Sequence, residues 1–187
     1  MKSGYFRTSE AEDVIGSLRH LKRCLDEAKH DPQAWKWVIL SLFSAVQGSM
    51  VCHAAGSAQI ECLKDDCATK MLAWLESHDG PKPEEELAGP DALFKRMNGT
   101  FGKLPPAGGV VSTSPATEEA FKRLKLLRDH LSHFSPKGWS IEKAFIEDAI
   151  PPLLSLIKEI ELRGWAFRHL DPKGIVGRTI DDIQRAT

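Results

Sequence analysis

Apolar residues recur in steps of three and four along most of this chain, a spacing that predicts helices rather than strands. From Glu10 to His30 they fall at Val14, Ile15, Leu18, Leu21, Cys24, Leu25 and Ala28, on one stripe, with Arg19, Lys22, Arg23 and Lys29 mostly outside it. Asp31-Pro32 ends that helix and opens another, because an aspartate caps free N–H groups and proline suits the first helical position. The second helix, about Pro32 to Ala55, is apolar almost all round, which places it centrally in a bundle or at a subunit contact. Gln47-Gly48-Ser49 interrupts it with small groups that allow a close helix approach.

A third helix is expected from about Gln59 to Ser77, on the stripe Ile60, Leu63, Cys67, Met71, Trp74 and Leu75. A short one follows near Asp91 to Met97. Asn98 to Pro115, rich in glycine and proline, reads as a loop, either a lid or a slack connection. Ser114-Pro115 then opens a helix with Ala120, Phe121, Leu124, Leu127 and Leu131 as its apolar side. Ser140 is expected to cap another short helix, and Leu153 to His169 forms the last strong one. Residues 171–187 read as a tail with one helical turn near Asp181. The expected fold is therefore all-α, a single domain over 1–187, built as an up-and-down bundle of four main helices plus short ones.

Composition narrows the class. The 187 residues carry 25 Lys+Arg against 26 Asp+Glu, a net charge of -1, which argues against binding nucleic acid through a whole-surface positive field. Met1 to Ala11 is polar and unlike a secretory signal, and the strongly apolar stretch Trp37 to Val46 is shorter than the roughly 20 residues of a membrane-spanning helix. Cys24, Cys52, Cys62 and Cys67 lack close paired spacing, so a reduced, cytoplasmic setting without membrane partners is expected. Neither a metal nor an organic cofactor is expected: His130 and His133 lack further ligands at metal spacing, Cys62 and Cys67 diverge on a helix, and Gly108-Gly109 lacks the lysine of a P-loop. Trp35, Trp37, Trp74, Trp139 and Trp165 are expected in core or interface.

Candidate chemistry concentrates between Phe121 and Ile141. Arg128-Asp129-His130-Leu131-Ser132-His133 gathers an arginine, an acid and two histidines at one helix end. A histidine can exchange a proton with a ribose hydroxyl or a leaving oxygen, and an arginine can hold a phosphate as charge develops on it. His130 and His133 share a face, and Lys122, Arg123 and Lys125 supply cations toward RNA phosphates or, equally, a solvated face. The structural alternative is a histidine favoured by the helix dipole and an arginine paired with a nearby acid.

The pattern R-[NDH]-x-x-x-H at a helix end resembles the HEPN superfamily. Arg128 falls on the motif arginine, Asp129 on the polar position beside it and His133 on the motif histidine. The stretches Trp35-Lys36-Trp37-Val38 to Gly48 and His133-Phe134-Ser135-Pro136-Lys137-Gly138-Trp139-Ser140 also look like a subgroup of bacterial HEPN-like proteins, so the resemblance spans about 34–160. It implies a homodimeric, metal-independent endoribonuclease or toxin-related protein acting on RNA. His133 would then be the acid/base and Arg128 the phosphate-stabilising group. Asp129 or Ser132 would orient them, and His130, Lys125 and Lys122 would contact substrate. The other class the resemblance allows is a non-catalytic helical module that binds a cognate partner protein or a nucleotide.

Overall fold

A computed structural model describes residues 4–100, 102, 104–133, 138–170 and 174–185. The chain is all-α. Helices α1 (Glu10–Glu27), α2 (Ala34–Ala54), α3 (Asp65–Ser77), α4 (Pro90–Met97), α5 (Pro115–Ser132), α6 (Lys143–Glu147), α7 (Ile150–Leu162) and α8 (Ile175–Gln184) follow in order, with a 3₁₀ turn at Ile60–Cys62. The β-pairing among the described residues is one isolated antiparallel bridge, Leu63 to Leu87.

Local chemistry sets several of these limits. Ser9 starts α1 by accepting from the Glu12 backbone N–H, and Ser114 starts α5 by accepting from Thr117 N–H, with Pro115 at the first helical position. The Asp31 carboxylate accepts from Gln33 N–H at 2.8 Å, so α2 begins at Ala34, slightly later than expected. Ser140 caps nothing: α6 starts after Glu142. Pro151 and Pro152 lie inside the first turn of α7, where the missing N–H groups cost no helical bond. That helix ends at Leu162, short of His169, and the chain turns away through Gly164 at φ +71°.

Helix α2 is the hub, packed against α1, α4, α5 and α7, while α8 lies on α1 and α7. Val38, Leu42, Ala45 and Met50 of α2 meet Leu18 and Leu21 of α1, Leu124 of α5 and Leu153 and Ile157 of α7 in one core. At about 25 cal/mol per Å² of apolar surface, each fully buried Leu or Ile contributes roughly 1.5–3 kcal/mol before chain entropy is counted. Gly48 serves a close approach of α1 to α2, because a Cβ there would lie 2.7 Å from Val14 Cγ2. By length and composition, the 21 residues of α2 could cross a membrane. Two thirds of its most apolar window is buried inside the fold (67%), so its apolar run extends beyond Trp37–Val46 and mostly faces protein.

The expected helix from Gln59 to Ser77 is broken. Gln59 takes φ +58°, Ile60–Cys62 make one 3₁₀ turn, Leu63 is extended, and α3 starts only at Asp65. The cause lies in α4. Arg96, 2% exposed, donates to the carbonyl oxygens of Glu61 and Leu63 and to Asp65 Oδ1 at 2.7 Å. Those carbonyls are claimed by a guanidinium instead of by amides further along a helix. Ile60, Leu63, Cys67, Ala68 and Met71 then form a small second core with Trp74 and Leu104 against it.

Candidate functional site

Helix α5 carries the motif. Its apolar residues Ala120, Phe121, Leu124 and Leu127 are buried, which turns Lys125, Arg128 and Asp129 toward the half-exposed flank. The Arg128 guanidinium lies over the Phe43 ring of α2 at 4.1 Å, and its Nη1 is 3.1 Å from Asp129 Oδ1. Its Nε is buried without a hydrogen-bond partner. Asp129 also faces Lys125 Nζ at 3.8 Å, and Lys125 pairs more closely with Asp91 of α4, at 3.0 Å. A cation stacked on an aromatic face gains about 0.5–2 kcal/mol and loses mobility, so Arg128 is held in place.

His133 lies one residue beyond α5. It is exposed, at φ −122° and ψ 66°, and its amide donates to Asp129 O at 3.1 Å. Among the described residues no hydrogen bond or ion pair joins Arg128 to His133. Five residues apart, the two point about 140° from each other on a regular helix, and the turn at His133 does not bring them into contact. Ser132 is exposed beside it. His130 packs on Trp139, ring centroids 4.4 Å apart, and so is engaged in a ring contact. Lys122 is exposed, whereas Arg123 stacks on Phe145 at 4.2 Å and donates to its carbonyl oxygen. The basic run on α5 is thus largely tied down. The part of the resemblance at Phe134, Ser135, Pro136 and Lys137 lies outside the described residues.

Arg128 also lines an open groove of about 810 Å³ between the start of α1, one side of α2 and the segment around Leu63 and Leu87. Its floor is a stripe of α2, Leu40, Ser44, Gln47, Gly48 and Val51, and Glu10, Asp13 and Glu85 give it an acidic rim. Ser44 donates to Asp13 at 3.2 Å. Cys52 opens onto the same groove, but burial pushes its thiol up to about 12, which keeps it protonated and non-nucleophilic at neutral pH. Among the described residues no group of three or more His, Cys, Asp or Glu is arranged to hold a metal ion.

Three features escaped sequence reasoning. Phe43, the ring under Arg128, looked like one more core residue. His53 carries no motif, although Val46, Met50 and His53 follow the buried stripe of α2 at steps of four and three. Its Nε2–H donates to Gly109 O at 2.7 Å, and Gly108 N–H and Ala107 N–H return bonds to the His53 and Ala54 carbonyls. Gly108 lies against the imidazole, where a Cβ would come within 2.3 Å of the ring. The glycine-rich loop is accordingly neither slack nor a lid along 107–111: it is bonded to the end of α2 and, through Val111 N–H and Met97 O, to α4.

The third is the basic face of α1 and α8, which the pattern had divided between a solvated stripe and a tail. The fold and this site define the class as an all-α helical protein with an arginine-lined groove. Compared with family models, curated proteins and solved structures, the chain matches none at a significant level.

Proposed function

We propose that this chain is a HEPN-like helical protein that cleaves RNA without metal, as a pair of copies in the cytoplasm, in a toxin-related role. In this reading α1, α2, α5 and α7 are the four up-and-down helices of the family. The observation that supports it best is Arg128. A half-buried guanidinium at the wall of a groove, immobilised by Phe43 and Asp129, is suited to receive a phosphate without further ordering cost. His133 is exposed at the end of the same helix, open to substrate and to a second copy.

One chain offers a single motif histidine, while the reaction needs a base and an acid. With two copies, His133 of one takes the proton of the ribose 2′-hydroxyl, and the oxygen attacks phosphorus. As the bond to the 5′-oxygen breaks, His133 of the other returns a proton to that leaving oxygen. The products are a 2′,3′-cyclic phosphate and a free 5′-hydroxyl. Arg128 stabilises the charge on the non-bridging oxygens, Asp129 and Ser132 orient the pair, and His130, Lys125 and Lys122 meet the flanking strand. Purified protein in the presence of a chelator is expected to cut total RNA. His133→Ala should lose about 10²-fold or more of the rate and Arg128→Ala a comparable factor. A folded wild-type protein that cuts no faster than His133→Ala would end this reading.

The Arg128–Asp129 ion pair, with no bond between Arg128 and His133, favours a second reading: a non-catalytic module that binds a partner protein or a nucleotide. It predicts binding that survives His133→Ala unchanged and no cyclic-phosphate ends.

A further inference from the structure

Helices α1 and α8 enclose an open cleft of about 560 Å³, on a different part of the molecule from the Arg128 groove. Five cations line it, Arg19, Lys22 and Arg23 from α1 and Arg178 and Arg185 from α8, against Asp181 and Asp182. Both acids are engaged. Asp181 accepts from Lys158 at 2.6 Å, and Asp182 takes Arg185 at 2.6 Å and Lys22 at 3.9 Å. What remains is three arginines without a carboxylate: Arg19 and Arg178 have no ion-pair partner among the described residues, and Arg23 meets only the His20 ring, at 3.3 Å. Like charges gathered in a concavity repel one another, and an anion seated there relieves that repulsion.

We infer that this cleft binds the phosphodiester backbone of a single RNA strand. Guanidiniums outnumber ammoniums, and their planar forks match phosphate oxygens two at a time. They are also strung out rather than convergent. Arg19 and Arg23 are one turn apart on α1, and Arg178 of α8 and Arg185, the residue that caps its end, are seven residues apart, about 10 Å at the helical rise. A row of that length suits successive phosphates of a strand better than one compact anion. Of the cations that the α5 motif was expected to supply, Lys125, Arg128 and Arg123 are engaged by Asp91, Asp129 and Phe145 and Lys122 stands alone, whereas the α1/α8 cleft gathers three arginines without a carboxylate. The inference does not depend on cleavage at Arg128 and His133.

The test is fluorescence polarisation of a labelled single-stranded RNA on the full chain carrying His133→Ala, titrated with salt. Arg19→Gln/Arg178→Gln is compared with Lys70→Gln on the far helix α3, an exposed lysine outside both sites. Loss of two phosphate contacts is expected to make the plot of log K against log salt shallower by about 1.4, with weaker binding at every salt concentration. Lys70→Gln should leave both unchanged. Melting of each variant serves as the folding control, and the single variants, each expected to shift the slope by about 0.7, stand in if the double variant melts early. Wild-type affinity and slope in Arg19→Gln/Arg178→Gln would overturn the proposal. So would displacement of the RNA by pyrophosphate at matched phosphate concentration, which would assign the cleft to a small free phosphate. Because binding is read in a His133→Ala background, failure here leaves the cleavage assay untouched, and failure there leaves this one.

Discussion

His53 has no exposed surface, and its only side-chain hydrogen bond runs from Nε2 to Gly109 O. Since a carbonyl can only accept, the proton sits on Nε2 and Nδ1 keeps a bare lone pair, buried and without a partner. Burial lowers the affinity of the ring for a second proton, the Gly109 carbonyl opposes that, and nearby Arg163 and Glu159 pull in opposite directions. The folded-state value lies below the ordinary one near 6.5. As the pH falls through the unfolded value, the unfolded chain takes up a proton that the folded chain refuses. Stability is therefore full above about 6.5 and falls below it, by up to about 1.4 kcal/mol per pH unit, until the folded value is reached. Urea unfolding between pH 7.5 and 5.5 should show this loss, and His53→Gln should flatten it. An unchanged slope in that variant would acquit His53. Its place on the buried stripe of α2 was legible in the sequence but its role was not, because an imidazole that seals a loop and one that only packs are written with the same letter. Only Gly108, pressed against its ring, shows that it closes the loop.

Among the elements, α3 and α8 depart furthest from what periodicity implies, for opposite reasons. Apolar spacing carried a helix straight through Leu63 because the stripe Ile60, Leu63, Cys67 and Met71 is intact in the sequence and stays buried. The break comes from Arg96, about thirty residues away, which binds the Glu61 and Leu63 carbonyls from outside. Periodicity leaves Asp171 to Thr187 as a short tail with one helical turn near Asp181, where the structure has the helix α8. It is ten residues long, and Val176, Ile180 and Ile183 on one side are wholly buried against α1 and α7. An isolated helix of that length is marginal in water, so its stability comes from docking. Ile180→Ala should cost about 2–5 kcal/mol and lower the melting temperature of the whole protein in one transition. A variant that melts like the parent, or that loses α8 in a separate early step, would show the helix to be an appendage.

At the scale of the molecule, α2 buries three of its sides and leaves the fourth as the floor of the groove. Trp37, at the start of that side, is 49% exposed, and Leu40, Gln47 and Val51 are half-buried. The cleavage reading requires a second copy, and the exposed start of this stripe at Trp37 is a surface on which one can seat. Sedimentation at micromolar concentration should then give twice 20.8 kDa, with a melting temperature that rises with concentration. Trp37→Glu should give the monomer mass without unfolding the chain, since the residue contributes little to the internal core. A wild-type monomer at high concentration would remove the second histidine, and the two-copy mechanism with it.

The helical class, the central position of α2 and the start of α5 at Ser114-Pro115 were legible in the amino-acid order, because each depends on residues within a turn or two of one another. Near neighbours in the chain decide helix periodicity and capping, and they are the same in any context. The stacking of Arg128 on Phe43, the hold of Arg96 on Glu61 and Leu63, the seal of Gly108 on His53 and the meeting of Arg19 with Arg178 join residues from about 30 to nearly 160 positions apart. No local pattern encodes such pairs. They exist only once packing of the core has fixed which helix flanks face each other, and that is why tertiary structure alone decided these contacts, while pairs such as Arg128–Asp129 and Arg185–Asp182 lie within one turn of the chain.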